Sequence, residues 1–220
     1  MKERSLHSQA LDLLRFPLAI VVLIVHISEA VIIDGSTFPI CREISYFIHG
    51  FFAGQSVPIY YFISGYVFFL GIELTCKKYL QKLKNRIHTL LIPYLLWNSI
   101  FVIRAIMVSL PCFSQFVTDY ESLNLTIPRL LWAFWDSGKG IRPSTTFHSF
   151  AIYPIDEPLW FVRDLMIVVL IAPFIWHMAK RFGNMFVIVS GVLWFILRGI
   201  PMGHANQLST AFFFFSWGGA

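Results

Sequence analysis

The sequence predicts an all-α protein, a polytopic transmembrane helix bundle with about six visible spans and a cytoplasmic N-terminus. Three observations predict it. First, 57% of the 220 residues are hydrophobic and only 13% are charged, whereas soluble domains carry about 25% charged residues. Mean hydropathy is +0.68. Second, apolar stretches long enough to cross a bilayer recur along the chain. Third, Lys and Arg gather in short loops that fall on one side if every stretch crosses. The formal net charge of +5 therefore reports topology. It implies a lipid bilayer as partner and excludes a nucleic-acid partner, which would need basic residues on a soluble face.

Spans are expected near 12–33, 47–71, 89–110, 158–178 and 184–200, and a sixth apolar stretch opens near Leu208 and runs to Ala220. The first carries a basic leader but holds Arg15 and His26 and lacks a small-residue cleavage site, so it is expected to be retained. Lys2 and Arg4 precede it. Lys77, Lys78, Lys82, Lys84 and Arg86 lie between the second and third spans, and Lys180 and Arg181 follow the fourth. These three clusters mark the cytoplasmic side. The segment 111–157 then faces out, and its piece IPRLLWAFW (127–135) suits a short interfacial helix. Pro17, Pro58, Pro93 and Pro173 fall in or at spans, where proline kinks a helix and neighbours satisfy the freed carbonyl. With no polar close to the last apolar run, the chain reads as one transmembrane domain over 1–220, cut short at its C-terminus. Cys41, Cys76 and Cys112 form no CxxC and no zinc spacing, so no metal site is expected.

Ionisable residues inside spans cost a few kcal/mol each or more and usually have a task. Arg15 and His26 are eleven residues apart. At 100° per residue that is about 20° past three full turns, so both face the same way. Glu29, three residues beyond His26, is within reach on the same helix side. A carboxylate beside an imidazole orients it and supports its cation, as a general base requires. The guanidinium of Arg15 matches phosphate or carboxylate, or snorkels to the headgroups. The stretch KKYLQKLKNRIH (77–88) suits anionic lipid or a phosphate-rich cofactor arriving from the cytoplasm. PLWFVRDLM (158–166) places Trp160 in an outer aromatic belt, with Arg163 and Asp164 about a turn deeper. There they either pair with other helices or line an outward-facing acceptor pocket. Ser64 and Gly65 indicate close helix packing rather than a nucleophile.

At these residues the chain resembles the membrane-bound acyltransferase-3 family, bacterial O-acyltransferases that decorate polysaccharides and related glycans. Arg15 and His26 reproduce its R-x10-H motif. SVPIYYFISGYVFFL (56–70), NRIHTLLIPYLLW (85–97) and PLWFVRDL (158–165) are similar to its next signatures, in the same order. Where family members often carry an RxxR pair in the basic loop, this chain has Arg86 followed by Thr89, with Lys84 and His88 as the neighbouring basic groups. The resemblance implies a bacterial inner-membrane acyltransferase that takes an acyl group, with acetyl expected first, from cytoplasmic acyl-CoA (acetyl-CoA) to a sugar or glycan hydroxyl. Acyl-CoA is then a donor substrate, with no resident cofactor. Arg15, Lys84, Arg86 and His88 would hold the donor. His26 would be the catalytic histidine, as base or as transient acyl carrier, with Glu29 as its orienter. Trp160, Arg163 and Asp164 would meet the acceptor glycan. The competing class is a transporter or exporter that uses His26, Glu29, Arg163 and Asp164 as a proton or substrate path. A third reading is an inactive fragment.

Overall fold

A computed structural model describes residues 17, 20–24, 39–70, 74–110, 112, 125–137, 153–199 and 204–219. Among them the chain is all-helical, with no strand. The helices are α1 (Pro39–Phe69), α2 (Cys76–Arg86), α3 (Ile92–Val108), α4 (Ile127–Trp132), α5 (Trp160–Leu170), α6 (Ala172–Phe182), α7 (Asn184–Arg198) and α8 (His204–Gly219). A π-helical turn, Ile87–Leu91, joins α2 to α3, and a 3-10 turn, Glu157–Leu159, leads into α5. Two compact units emerge: residues 1–72 with 214–220, and residues 73–213.

The first unit packs α1 against the last turns of α8 through small residues. A Cβ added at Gly65 would stand 2.0 Å from the Phe215 carbonyl oxygen, and one at Gly218 would stand 2.0 Å from that of Phe62. Backbones approach this closely only where side chains are missing. Phe68 meets Phe215 with centroids 5.7 Å apart, and Phe62 meets Trp217 at 5.3 Å. The expected role of Gly65 in close packing is thus observed. Gly65→Val must push the helices apart, because the obstacle is backbone rather than a movable side chain. Overpacking of this kind costs about 1–3 kcal/mol, and thermal unfolding of the purified protein should register it. Helix α1 begins eight residues before the expected span at 47. Within it Ser56 Oγ donates to the Phe52 carbonyl at 3.2 Å, beside Pro58.

The second unit is built around one long helix. Thr75 stands in extended geometry and its carbonyl accepts from Tyr79 N–H at 2.9 Å, which starts the helix. The helix then continues to Val108, 33 residues in all. The π turn precedes Pro93 directly. Proline has no N–H to donate, so the ladder shifts register, and Ile92 N–H reaches Ile87 O, five residues back. Only 11% of the most apolar 18-residue window of this helix is buried, with Leu96 and Ile103 well exposed. A soluble core helix would bury that face, whereas a lipid-facing helix displays it.

Six straight spans are not what the described residues contain. Cys76–Val108 is the one helix long and apolar enough to cross. The bent pair Glu157–Leu170 and Ala172–Phe182 counts as a second if it is taken as one span. The segment 158–178 is not continuous: it breaks at Ile171 with a 61° bend. Pro173, at the start of α6, explains the break, because it cannot donate back into α5. Helix α7 is apolar but has 15 residues. Of the first expected span only 17 and 20–24 are described, and they are helical. The interfacial segment is helical over Ile127–Trp132 rather than to 135. Gly183 links α6 to α7 with φ +53°, and its N–H donates to Ala179 O at 2.8 Å. A side chain there meets no neighbour within 4 Å, so Gly183→Ala isolates the backbone term. We expect about 1 kcal/mol of destabilisation in a denaturant titration.

Candidate functional site: a buried Arg-Asp-His cluster above an apolar pocket

The first turn of α5 carries two charges inward. Arg163 is 2% exposed and Asp164 0%. Arg163 Nε donates to Asp164 Oδ1 at 2.9 Å, and Nη2 stands 2.9 Å from the same oxygen. Neither charge would tolerate this burial alone, and each is the other's partner. Nη1 of Arg163 donates to the Trp135 carbonyl at 2.8 Å, and the guanidinium carbon lies 5.0 Å from the Trp135 ring centroid. His204, the first residue of α8, brings Nε2 to 3.0 Å from Asp164 Oδ1. Its ring packs edge to face with Trp135, centroids 5.7 Å apart. Oδ2 of Asp164 is buried and has no hydrogen-bond partner among the described residues.

The segment carrying Trp135 is fixed by backbone bonds and by α3. Ile155 N–H donates to Ala133 O at 2.8 Å, and Ser137 N–H donates to Tyr153 O at 2.7 Å. The Tyr94 hydroxyl donates to the Phe134 carbonyl. Fully buried Asn98 donates through Nδ2 to Tyr94 O at 2.9 Å and accepts from Asp156 N–H at 3.2 Å through Oδ1. Phe101, Val102, Leu125 and Leu130 pack around Ala133 and Ile155. Tyr94 and Asn98 are eight and twelve residues past Arg86, hence about 12 and 18 Å further along the helix. Trp135 therefore rests part-way along α3 rather than beyond its end.

Below the cluster lies a pocket of about 370 Å³ between α2, the π turn, α3 and α5. Arg86 and Arg163 line it, together with apolar side chains such as Leu90, Leu91, Met166 and Leu170. The Tyr79 hydroxyl donates to Leu170 O at 2.9 Å and ties α2 to α5 below it. The pocket surface is almost wholly apolar, so it can take a long, mainly apolar chain.

Of the expected site residues, Arg15, His26 and Glu29 lie outside the described residues. Arg86 is half-buried and lines the pocket, whereas Lys84 and His88 are exposed and do not line it. Arg163 and Asp164 are joined directly. Trp160 is half-buried and contacts the Tyr153 ring at 6.4 Å. Sequence reasoning missed His204, Trp135, Tyr94 and Asn98. An intramembrane Arg-Asp pair signals an unnamed partner, but nothing in the spacing selects a histidine forty residues on. Among the described residues no three His, Cys, Asp or Glu side chains gather to hold a metal.

The described residues thus form an all-helical chain with one exposed apolar helix long enough to cross a membrane and a buried charge pair beside an apolar pocket. The particular assignment comes from a family model. Residues 8–220 match Acyl_transf_3, described as an acyltransferase domain, and the chain belongs to this acyltransferase family. No curated protein and no solved structure matches it.

Proposed function

We propose that this protein is an integral-membrane O-acyltransferase of the bacterial cytoplasmic (inner) membrane, with several crossings and a cytoplasmic N-terminus. It transfers an acetyl group from cytoplasmic acetyl-CoA to a hydroxyl of a sugar or glycan. The observation that carries this reading is the family match over 8–220, a stretch that contains Arg15 and His26 with their eleven-residue spacing. The pocket supports it: Arg86, the last residue of the basic helix α2, borders it, and its surface is mainly apolar. A CoA arm has that character, with phosphates at one end and a thioester at the other. In this reading Arg15, Lys84, Arg86 and His88 receive the phosphates. Glu29 orients His26. Trp160, Arg163 and Asp164 serve the acceptor. The topology agrees as well, since the positive-inside pattern puts 111–157, the start of α5 and the start of α8 on one outer side, and Trp135, Arg163 and His204 meet.

The test is acetyl transfer by the purified protein in liposomes. CoA release together with an O-acetylated saccharide supports the reading. Movement of a saccharide into the vesicles without acetyl-CoA turnover would replace it with the transporter reading. Arg86 gives a residue-level prediction. A hydrogen bond to a charged group contributes about 1.5–3 kcal/mol, so Arg86→Ala should raise the KM for acetyl-CoA about 10- to 100-fold with kcat little changed. Lys84→Ala, at an exposed position, should shift KM less than about threefold.

A further inference from the structure

We propose that α6 and the first turn of α2 form a binding surface for anionic phospholipid headgroups of the cytoplasmic leaflet. The surface is separate from the transfer reaction and rests only on the proposed topology. Ala172 and Ile175 are the buried residues of α6. At about 100° per residue, His177, Lys180 and Arg181 fall together on the other side of the helix, and all three are exposed. No Asp or Glu follows Asp164 in the sequence, so α6 and α7 are cationic throughout.

The bend at Ile171 sets the depth of these cations. Helix α5 rises about 16 Å over Trp160–Leu170. The run from Ala172 to Lys180, turned by 61°, adds about 6 Å along the same axis. With Trp160 in the outer aromatic belt, the Lys180 backbone stops several ångströms short of the far edge of a hydrocarbon layer ~30 Å thick. The long side chains of Lys180 and Arg181 cover that distance and put their charges among the inner headgroups.

The neighbouring groups fit the same depth. Lys180 Nζ is 4.8 Å from the Trp176 ring centroid, and the Arg181 guanidinium carbon is 5.7 Å from that of Phe182. Leu170, Ile171, Phe174 and Phe182 are exposed around the bend and along α6. The Tyr79 hydroxyl donates to Leu170 O at 2.9 Å. That bond holds the first turn of α2, with exposed Lys77 and Lys78, at the head of α6. Cations edged by exposed apolar side chains match a charged headgroup with hydrocarbon beneath it. A soluble polyanion would satisfy the charges but leave Leu170 and Phe174 in water.

The test titrates the full chain in detergent with phosphatidylglycerol or phosphatidylcholine and reads bound lipid by native mass spectrometry. A Lys or Arg near an anionic surface is worth about fivefold in affinity, so phosphatidylglycerol should bind about tenfold or more tighter than phosphatidylcholine. Lys180→Gln with Arg181→Gln should remove most of that preference. Lys180→Arg with Arg181→Lys keeps both charges and should retain it. Nanodiscs guard against misfolding. Equal parts of the two lipids should raise the unfolding temperature of the wild type above its value in phosphatidylcholine alone. The glutamine variant should lose that rise while matching the wild type in phosphatidylcholine. Equal affinity for the two lipids, or a preference that the glutamine variant keeps, would overturn the proposal. So would an equal loss in the charge-keeping variant, since charge would then not be what the surface reads. Release of bound phosphatidylglycerol by acetyl-CoA would also overturn it and give these cations to the donor. None of the readouts requires acetyl transfer, so the acyltransferase reading stands or falls separately.

Discussion

Asp164→Ala is expected to destabilise the protein by about 3–5 kcal/mol, more than Asp164→Asn and more than the double change Arg163→Met with Asp164→Leu. The asymmetry follows from desolvation. A buried ion pair adds little net stability, because removing both ions from water costs about as much as their attraction returns. Removing one partner leaves the other charge buried and uncompensated. Here the stranded group would be Arg163, 2% exposed, whose Nε and Nη2 both lie 2.9 Å from Asp164 Oδ1. The Trp135 carbonyl and the ring beneath the guanidinium would still face it, but neither carries a negative charge. His204 would lose its Nε2 acceptor at the same time. Asn keeps an oxygen acceptor but not the charge, so it should fall between Ala and wild type. The apolar double change removes both charges and should lie nearer wild type than Asp164→Ala. Chemical unfolding of the four proteins in one detergent, read by tryptophan fluorescence, checks the order. If Asp164→Ala unfolded at the wild-type midpoint, the pair would not be closed to solvent.

The legible part of this molecule was the part governed by composition and local pattern. The helical class follows from the scarcity of charge and the length of the apolar runs. The packing role of Gly65 follows from Ser-Gly set among large aromatics, and the break near Pro173 follows from a missing N–H. Where the runs bend was not legible to the residue. Ile171 divides α5 from α6 because the backbone found a 61° turn there, and hydropathy averaged over a window cannot register one residue. The merging of the basic loop 77–88 into a single helix with α3 was also hidden. Lysines signal a cytoplasmic location, yet Cys76–Arg86 is a helix with Lys77, Lys78 and Lys84 exposed, and nothing in the charges forbids its running straight into the apolar stretch. At the site, Arg163 and Asp164 were visible because ionisable groups in an apolar run are costly and therefore conspicuous. Trp135 and His204 were not, because each lies in an ordinary setting for its type. A tryptophan ends an amphipathic segment, and a histidine sits between two apolar runs. Only the third dimension makes them neighbours.

His26→Ala is expected to lower kcat for acetyl transfer by about 10²–10⁴-fold, the range lost when a positioned acid-base group is removed. The KM for acetyl-CoA should change little, because Arg15 and Arg86, not His26, are proposed to hold the donor. An imidazole set in an apolar run beside Arg15 and Glu29 pays a desolvation cost that a packing residue would avoid, and leucine would fill the same space without it. The two roles open to His26 give different intermediates. As a base it takes the proton of the acceptor hydroxyl while that oxygen bonds to the acetyl carbon and the C–S bond breaks, releasing CoA. As a carrier its ring nitrogen bonds to the acetyl carbon first and CoA leaves before any acceptor is present. Only the second role allows CoA release without acceptor, equal to one acetyl group per protein, and acid quenching followed by mass spectrometry would find the acetyl group on the protein. Glu29→Gln separates orientation from chemistry. It keeps a hydrogen-bond acceptor at the same reach but removes the charge that supports an imidazolium, so kcat should fall less than with His26→Ala, about 10-fold. If His26→Ala transferred acetyl at the wild-type rate, the first-span histidine would be structural, and the eleven-residue register with Arg15 would need an explanation in helix packing.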